Sequence, residues 1–280
     1  MAPAASEDTR LRVWWRLARG VAGRWRPPPG TGSVRAYCMF VGFPRSGHSL
    51  VGEALNAHPD CVIANELHAL WYLRTGGRLV NANALYRMIL DRERTFARDR
   101  RGGGGYEYAF PGAWQGRVRE LRVIGDKKGG SSTVMLRREP ELLDRLRAVV
   151  GVPLRVVVVT RHPLDNIATL ARRQDQTLDA ATGAYERRAQ GVADTLARLA
   201  PGDAHVVAYE DVVTRPEATL GALARFLDLV AEPAWVAAVR GTLAEVPSRT
   251  RDRVTWSTAQ QDRVAGIIDR FGFLAPYRDG

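Results

Sequence analysis

Apolar residues in this chain alternate between short unbroken runs and longer stretches in which they recur every three or four positions. The runs are Tyr37-Cys38-Met39-Phe40-Val41, Cys61-Val62-Ile63-Ala64, Leu121-Arg122-Val123-Ile124-Gly125, Leu154-Arg155-Val156-Val157-Val158-Val159-Thr160 and Ala204-His205-Val206-Val207-Ala208-Tyr209; each predicts a strand. The four consecutive valines predict burial on both faces, hence a central parallel strand. Helical spacing of Leu50, Val51, Ala54 and Leu55, of Leu142, Leu143 and Leu146, and of Leu220, Leu223 and Leu227 predicts helices between the runs. A longer helix is expected over 181–199, with Tyr185, Ala189, Val192, Leu196 and Leu199 on its core face. The last helix opens with the capping box Ser257-x-x-Gln260, buries Val264, Ile267, Ile268 and Phe271, and stops near Gly272. Strands that alternate with helices predict an α/β fold, a parallel sheet flanked by helices.

Two stretches depart from this rhythm. Residues 10–26 set Leu11, Trp14, Ala18, Val21 and Trp25 on one helical stripe, with Arg12, Arg16, Arg19 and Arg26 beside it. Gly20 and Gly23 weaken that helix, and Pro27-Pro28-Pro29-Gly30 ends it as a stiff linker. The chain is therefore divided into a basic amphipathic arm and linker, 1–30, and a single domain, 31–280. The arm suits either peripheral contact with an anionic membrane or packing on its own domain. Between 70 and 120, Trp71, Leu73, Leu79, Leu85, Met88 and Ile89 suggest helices around Arg100-Arg101-Gly102-Gly103-Gly104-Gly105, a loop of the kind that closes over substrates.

A length of 280 residues, 45% of them hydrophobic, suits one large domain. No apolar stretch approaches the roughly 20 residues of a membrane-spanning helix. The N-terminus lacks the order of a secretory signal, so a cytoplasmic location is expected. Cys38 and Cys61 fall in predicted strands and read as buried small hydrophobes. His48, His58, His68, His162 and His205 show no metal-ligand spacing, and no metal is expected. The formal charge of +11 invites an anionic partner. Without an aromatic-interleaved basic run, nucleic acid is not expected to be that partner. Of 41 basic residues the only two lysines are adjacent, Lys127 and Lys128. In a chain that otherwise uses arginine, the pair marks a place suited to a compact ammonium.

The first strand ends in Gly42-Phe43-Pro44-Arg45-Ser46-Gly47-His48-Ser49, and a helix follows. Strand, tight loop and helix form a phosphate-loop arrangement, in which backbone N–H groups converge at the positive end of a helix and favour a phosphate or sulfate. Gly42-x4-Gly47-His48-Ser49 nearly matches the Walker pattern but carries His48 where nucleoside triphosphate chemistry requires Lys. The loop's cation is Arg45 instead. Pro44-Arg45-Ser46-Gly47-His48-Ser49 resembles the first signature of the sulfotransferases that use 3′-phosphoadenosine 5′-phosphosulfate (PAPS), with His48 departing from the usual Thr. Arg161, Pro163, Asp165 and Thr169 match the spacing of their second signature, with Thr169 for Ser. Gly125-Asp126-Lys127 and Tyr209-Glu210-Asp211 resemble further elements of bacterial and tyrosine-protein-type members.

The resemblance implies a P-loop NTPase-like parallel sheet in a single domain, PAPS as sulfuryl donor, and an acceptor hydroxyl on a small molecule, lipid, glycan or peptide. It implies donor binding by Pro44, Arg45, Ser46, Gly47, His48 and Ser49 at one end and by Arg161 and Thr169 at the 3′-phosphate, with Tyr209 near the adenine. A late basic loop would close on that phosphate through one of Arg249, Arg251 and Arg253. Charge that builds on the leaving oxygen needs cations, for which Arg45 and Lys127 are the candidates. The acceptor needs a general base, Glu66 by the resemblance, with His68 as the alternative. Two other functions remain open on sequence: a P-loop kinase with Asp126 as the Mg²⁺ acid, and a non-catalytic binder of membrane or polyanion.

Overall fold

The computed structural model describes residues 7–99 and 108–278, with side chains from residue 11 onward except that of residue 99. The glycine-rich loop expected at 100–105 lies outside the described residues. In chain order the elements are α1 (Glu7–Ala22), β1 (Ala36–Gly42), α2 (His48–Asn56), β2 (Cys61–Asn65), α3 (Ala69–Gly76) and α4 (Ala82–Asp99). They continue with β3 (Val123–Lys127), α5 (Gly129–Arg138), α6 (Glu141–Val150), β4 (Leu154–Thr160), α7 (Pro163–Gln174) and α8 (Leu178–Leu196). The chain closes through β5 (Ala204–Ala208), α9 (Tyr209–Thr214), α10 (Pro216–Phe226), α11 (Pro233–Arg240) and α12 (Thr258–Arg270).

All strand pairings are parallel, in the order β2-β3-β1-β4-β5. β1 lies at the centre, with successors on both sides, so its carboxyl end is the topological switch point where ligands of open parallel sheets bind. Alternate residues of β1 feed two cores: Tyr37, Met39 and Val41 pack on one face and Cys38 and Phe40 on the other. The valines of β4, Val156 to Val159, are wholly buried, as a strand covered on both faces requires.

Two expectations are corrected. The third strand runs over Val123–Lys127 and not 121–125, because Asp126 and Lys127 are buried in spite of their charge and extend the ladder beside Asn65. The long helix begins and ends three residues earlier, since the Thr177 hydroxyl caps it by accepting from Ala180 N. In α1 the predicted stripe divides, with Val21 packed against the core. Leu17 and Gly20 face inward, while Leu11, Trp14 and Trp25 are exposed. Gly20, which reads as a helix breaker, is a contact point: a Cβ there would sit 2.7 Å from Met88 Cγ on α4. Among the described residues no helix is long and apolar enough to cross a membrane.

Candidate active site

The carboxyl ends of the strands surround a cleft of about 450 Å³. The loop after β1 contributes Pro44, Arg45, Gly47, His48 and Ser49; Glu66 follows β2, and Lys127 with Lys128 ends β3. From the other side come Arg161, Thr169, Tyr209 and Ser248. The two cationic clusters read from separate parts of the sequence therefore line one cavity.

The loop after β1 holds its shape through local bonds. Ser46 Oγ lies 2.8 Å from Phe43 O, and Asn166 of α7 donates its side-chain amide to Pro44 O at 3.0 Å. Arg45 and Gly47 both have positive φ, 68° and 97°. Gly47 also meets Tyr209 closely: a Cβ would lie 2.8 Å from Tyr209 Cδ2. The first N–H groups of a helix have no partner within it, and those of α2 and α5 start at residues lining the cleft, Gly47 to Ser49 and Gly129 to Ser131.

His48 is buried and turned back onto the strand. Its Nε2 lies 3.1 Å from Val41 O, which can only accept, so the proton is on Nε2 and Nδ1 faces the Ser46 hydroxyl at 3.1 Å. Burial lowers its pKa to about 4, keeping the ring neutral. A cation reaches the loop from the neighbouring strand, where buried Lys127 donates from Nζ to Ser49 Oγ at 3.1 Å. Burial pulls the Lys127 pKa down, opposed by the Glu66 carboxylate.

Glu66 lies between two ammonium groups, with Lys127 Nζ at 3.4 Å from Oε1 and Lys128 Nζ at 2.8 Å from Oε2. Partial burial favours its neutral form, but the two lysines outweigh that and bring its pKa down to about 2. The turn that presents it is strained: Glu66 and His68 have φ of 57° and 71°, in the left-handed region. Asp126 holds the turn. Its two carboxylate oxygens accept from Leu67 N at 2.9 Å and Ala69 N at 2.7 Å, and burial raises its pKa to about 6. Asp126 thus faces the backbone of 67–69 and is absent from the cleft lining, which corrects its placement as a metal-binding acid in the kinase reading. His68 begins α3, does not line the cleft, and has its pKa lowered to about 4 by burial and by Lys128.

At the other end, Arg161 is buried beneath the loop that precedes α12. Nη2 donates to Ser248 O, Ser248 Oγ and Thr250 Oγ1 at 2.8, 2.9 and 3.1 Å, and Nη1 to Arg45 O and Thr169 Oγ1, each at 3.3 Å. Its guanidinium lies 5.4 Å from the Tyr209 ring centroid. Every one of these acceptors is neutral, and Nε is buried with no hydrogen-bond partner. Of the three late arginines, Arg251 is committed to Asp165 through its backbone N–H at 2.7 Å, with Nη1 3.8 Å from that carboxylate, while Arg249 pairs with Asp252. The loop reaches the cleft through Ser248, not through any of the three arginines. The lysine pair and the late loop stand out in the sequence, but no site role was expected of Lys128, Ser248 or Gly129-Gly130-Ser131, all of which line the cleft.

A parallel sheet whose central strand runs through a tight loop, Gly42 to Gly47, into a helix is the P-loop-like arrangement of α/β folds. Within that class, residues 152–233, which carry Arg161, Thr169 and Tyr209, match the sulfotransferase family model. Among solved structures the fold is similar to the sulfotransferase domain from the curacin biosynthetic pathway, with a TM-score of 0.51 and 16% identity over 84% of this chain and 98% of that one. It is also similar to sulfotransferase STF9 from Mycobacterium avium, with a TM-score of 0.50 and 13% identity over 97% of this chain and 88% of that one. Sulfotransferase STF1 from Mycobacterium tuberculosis H37Rv gives a TM-score of 0.50 and 13% identity, covering 93% and 86%. The sequence matches none of the curated proteins. The family match spans residues 152–233, and the likeness of fold to solved sulfotransferases extends over most of the chain.

Proposed function

We propose that the protein transfers a sulfuryl group from PAPS to an acceptor hydroxyl on a small molecule, lipid, glycan or peptide. One observation carries this reading: a single cleft is lined by Arg45, Ser49 and Lys127 and also by Arg161 and Thr169, which follow a different strand. The donor set fits a nucleotide with anionic groups at two ends. Arg161 is a buried cation among neutral acceptors with an orphaned Nε–H, an arrangement that costs several kcal/mol unless an anion completes it. Bound there, PAPS would supply the sulfuryl group and a phosphate leaving group.

The chain's own residues then divide the work. Arg161, Thr169 and Ser248 hold the 3′-phosphate, and Tyr209 offers a ring face to the adenine. The loop of residues 44–49 binds the 5′ end through backbone N–H groups, with His48 supporting the loop from behind as a neutral ring. Arg45 and Lys127 stabilise negative charge that develops at the leaving oxygen, acting from fixed positions. Glu66 takes the acceptor proton. A pKa near 2 makes it a poor base while both lysines hold it; an anion that draws Lys127 and Lys128 away raises its basicity at the moment of use. His68, outside the cleft lining, is the less suited of the two candidates.

Thermal melting tests the reading. Adenosine 3′,5′-bisphosphate should raise the melting temperature, because a ligand at a hundred times its Kd adds about 2.7 kcal/mol to the folded state. ADP and Mg-ATP should act far more weakly. A larger response to Mg-ATP would restore the kinase, and no response to any nucleotide would leave the binder.

A further inference from the structure

Helix α1 has three faces where a helix that merely covers its own domain needs two. At 3.6 residues per turn, Val13, Leu17 and Gly20 share one arc, Arg12, Arg16 and Arg19 a second, and Leu11, Trp14, Trp15 and Ala18 a third. The first arc is docked: Tyr72 of α3 donates its hydroxyl to Val13 O at 3.4 Å, Leu17 is buried, and Gly20 abuts Met88. The third is turned outward, with Leu11 70%, Trp14 54% and Trp15 62% exposed, and Trp25 just beyond the helix is 77% exposed. Water gains nothing from such a face, and tryptophans beside arginines are the side chains that settle at a bilayer's headgroup level.

The second arc names the occupant. No acidic residue occurs between 11 and 35. Between α1 and α4 lies a groove of about 160 Å³ lined by Trp15, Arg16, Arg19, Arg94 and Arg98, with Asp91 as its one carboxylate, 3.7 Å from Arg19. The groove adjoins the exposed tryptophans through Trp15. We propose that α1 and this groove bind an anionic phospholipid bilayer, with Leu11, Trp14, Trp15 and Trp25 entering the interface and the arginine groove taking a lipid phosphate. This reading is independent of the donor chemistry, since none of these residues lines the cleft.

Vesicle co-sedimentation of the full chain tests it. Wild-type protein should pellet with vesicles of equal phosphatidylcholine and phosphatidylglycerol, with a blue shift of tryptophan emission, and much less with phosphatidylcholine alone. The triple variant Leu11→Ser/Trp15→Ser/Trp25→Ser should lose the blue shift, and Arg94→Gln/Arg98→Gln should weaken binding about tenfold or more, as expected when two surface cations are removed. All substituted side chains are exposed, so the variants should keep the wild-type melting temperature and its response to adenosine 3′,5′-bisphosphate. Wild-type protein that ignores anionic vesicles, or a triple variant that binds them as well as wild type, overturns the proposal. So does protein that binds duplex DNA through the same residues while leaving vesicles unbound.

Discussion

Arg161 donates from a single nitrogen to both oxygens of Ser248, 2.8 Å from the carbonyl and 2.9 Å from the hydroxyl. The late loop is thereby fastened over Arg161, and Asp165 fixes it a second time by accepting from Arg251 N. Lysine at position 161 keeps the charge but loses the planar fork that reaches Arg45, Thr169, Ser248 and Thr250 together. Arg161→Lys should weaken binding of adenosine 3′,5′-bisphosphate about tenfold or more, at 1.5–3 kcal/mol per charged hydrogen bond lost. It should also speed proteolysis within 246–254. Titration calorimetry and limited digestion check the two effects separately.

Glu66→Gln removes the carboxylate that holds Lys127 and Lys128, which the proposed donor would otherwise have to displace. Binding of the bisphosphate should stay the same or tighten, whereas turnover falls by about 10²–10⁴-fold, the usual contribution of a general base. Turnover is measured with whichever acceptor a panel of phenols, alcohols and glycans identifies. Full activity in Glu66→Gln would move the base elsewhere, and His68→Gln is then the variant to compare.

Much of this architecture was legible in the sequence because each strand is an apolar run that ends in a polar cluster. The eight-residue spacing from Arg161 to Thr169 survives as a hydrogen bond because it joins a strand end to the second turn of α7. What was not legible depends on backbone turns that side-chain patterns do not announce. Glu66 and His68 are ordinary residues in left-handed conformation, so a strand-like reading could not tell which of them faces the cleft. Asp126 and Lys127 are buried charges inside a strand, so apolar periodicity ended β3 too early. In α1, glycine at a helix contact reads as a flaw, so the docked arc through Gly20 was not apparent.

His48 and His68 both carry pKa values lowered to about 4 by burial. For each, the folded state resists a proton that the unfolded chain accepts near pH 6.5, so their stabilising contribution is present above that value and is lost as pH falls toward 4. The melting temperature should therefore decline between pH 6.5 and 4. In His48→Gln, which cannot charge, the decline should be shallower, although the variant starts from a lower melting temperature because the bond to Val41 O is disturbed. A decline of identical slope in wild type and variant would show that His48 does not titrate in this window.

Asp126 does not line the cleft but braces the turn that carries Glu66. Its two carboxylate oxygens each accept one backbone N–H, from Leu67 and Ala69, and these bonds hold Glu66 and His68 at positive φ. An asparagine offers one oxygen and one amide, so Asp126→Asn sets a donor against a donor and leaves a buried N–H unpaired. Stability should fall by about 1–3 kcal/mol, readable by chemical denaturation. The freed turn no longer presents Glu66 to the lysines, so turnover should drop while binding of adenosine 3′,5′-bisphosphate, anchored by Arg161 and the loop after β1, is nearly kept. A merely structural aspartate would lower both in parallel. The pH dependence adds a further check. Burial raises the Asp126 pKa to about 6 against an ordinary 3.8, so wild type carries the full cost of the buried charge above pH 6 and none of it below about pH 4. The variant has no such cost, and its stability deficit relative to wild type should narrow as pH rises from 4 to 6.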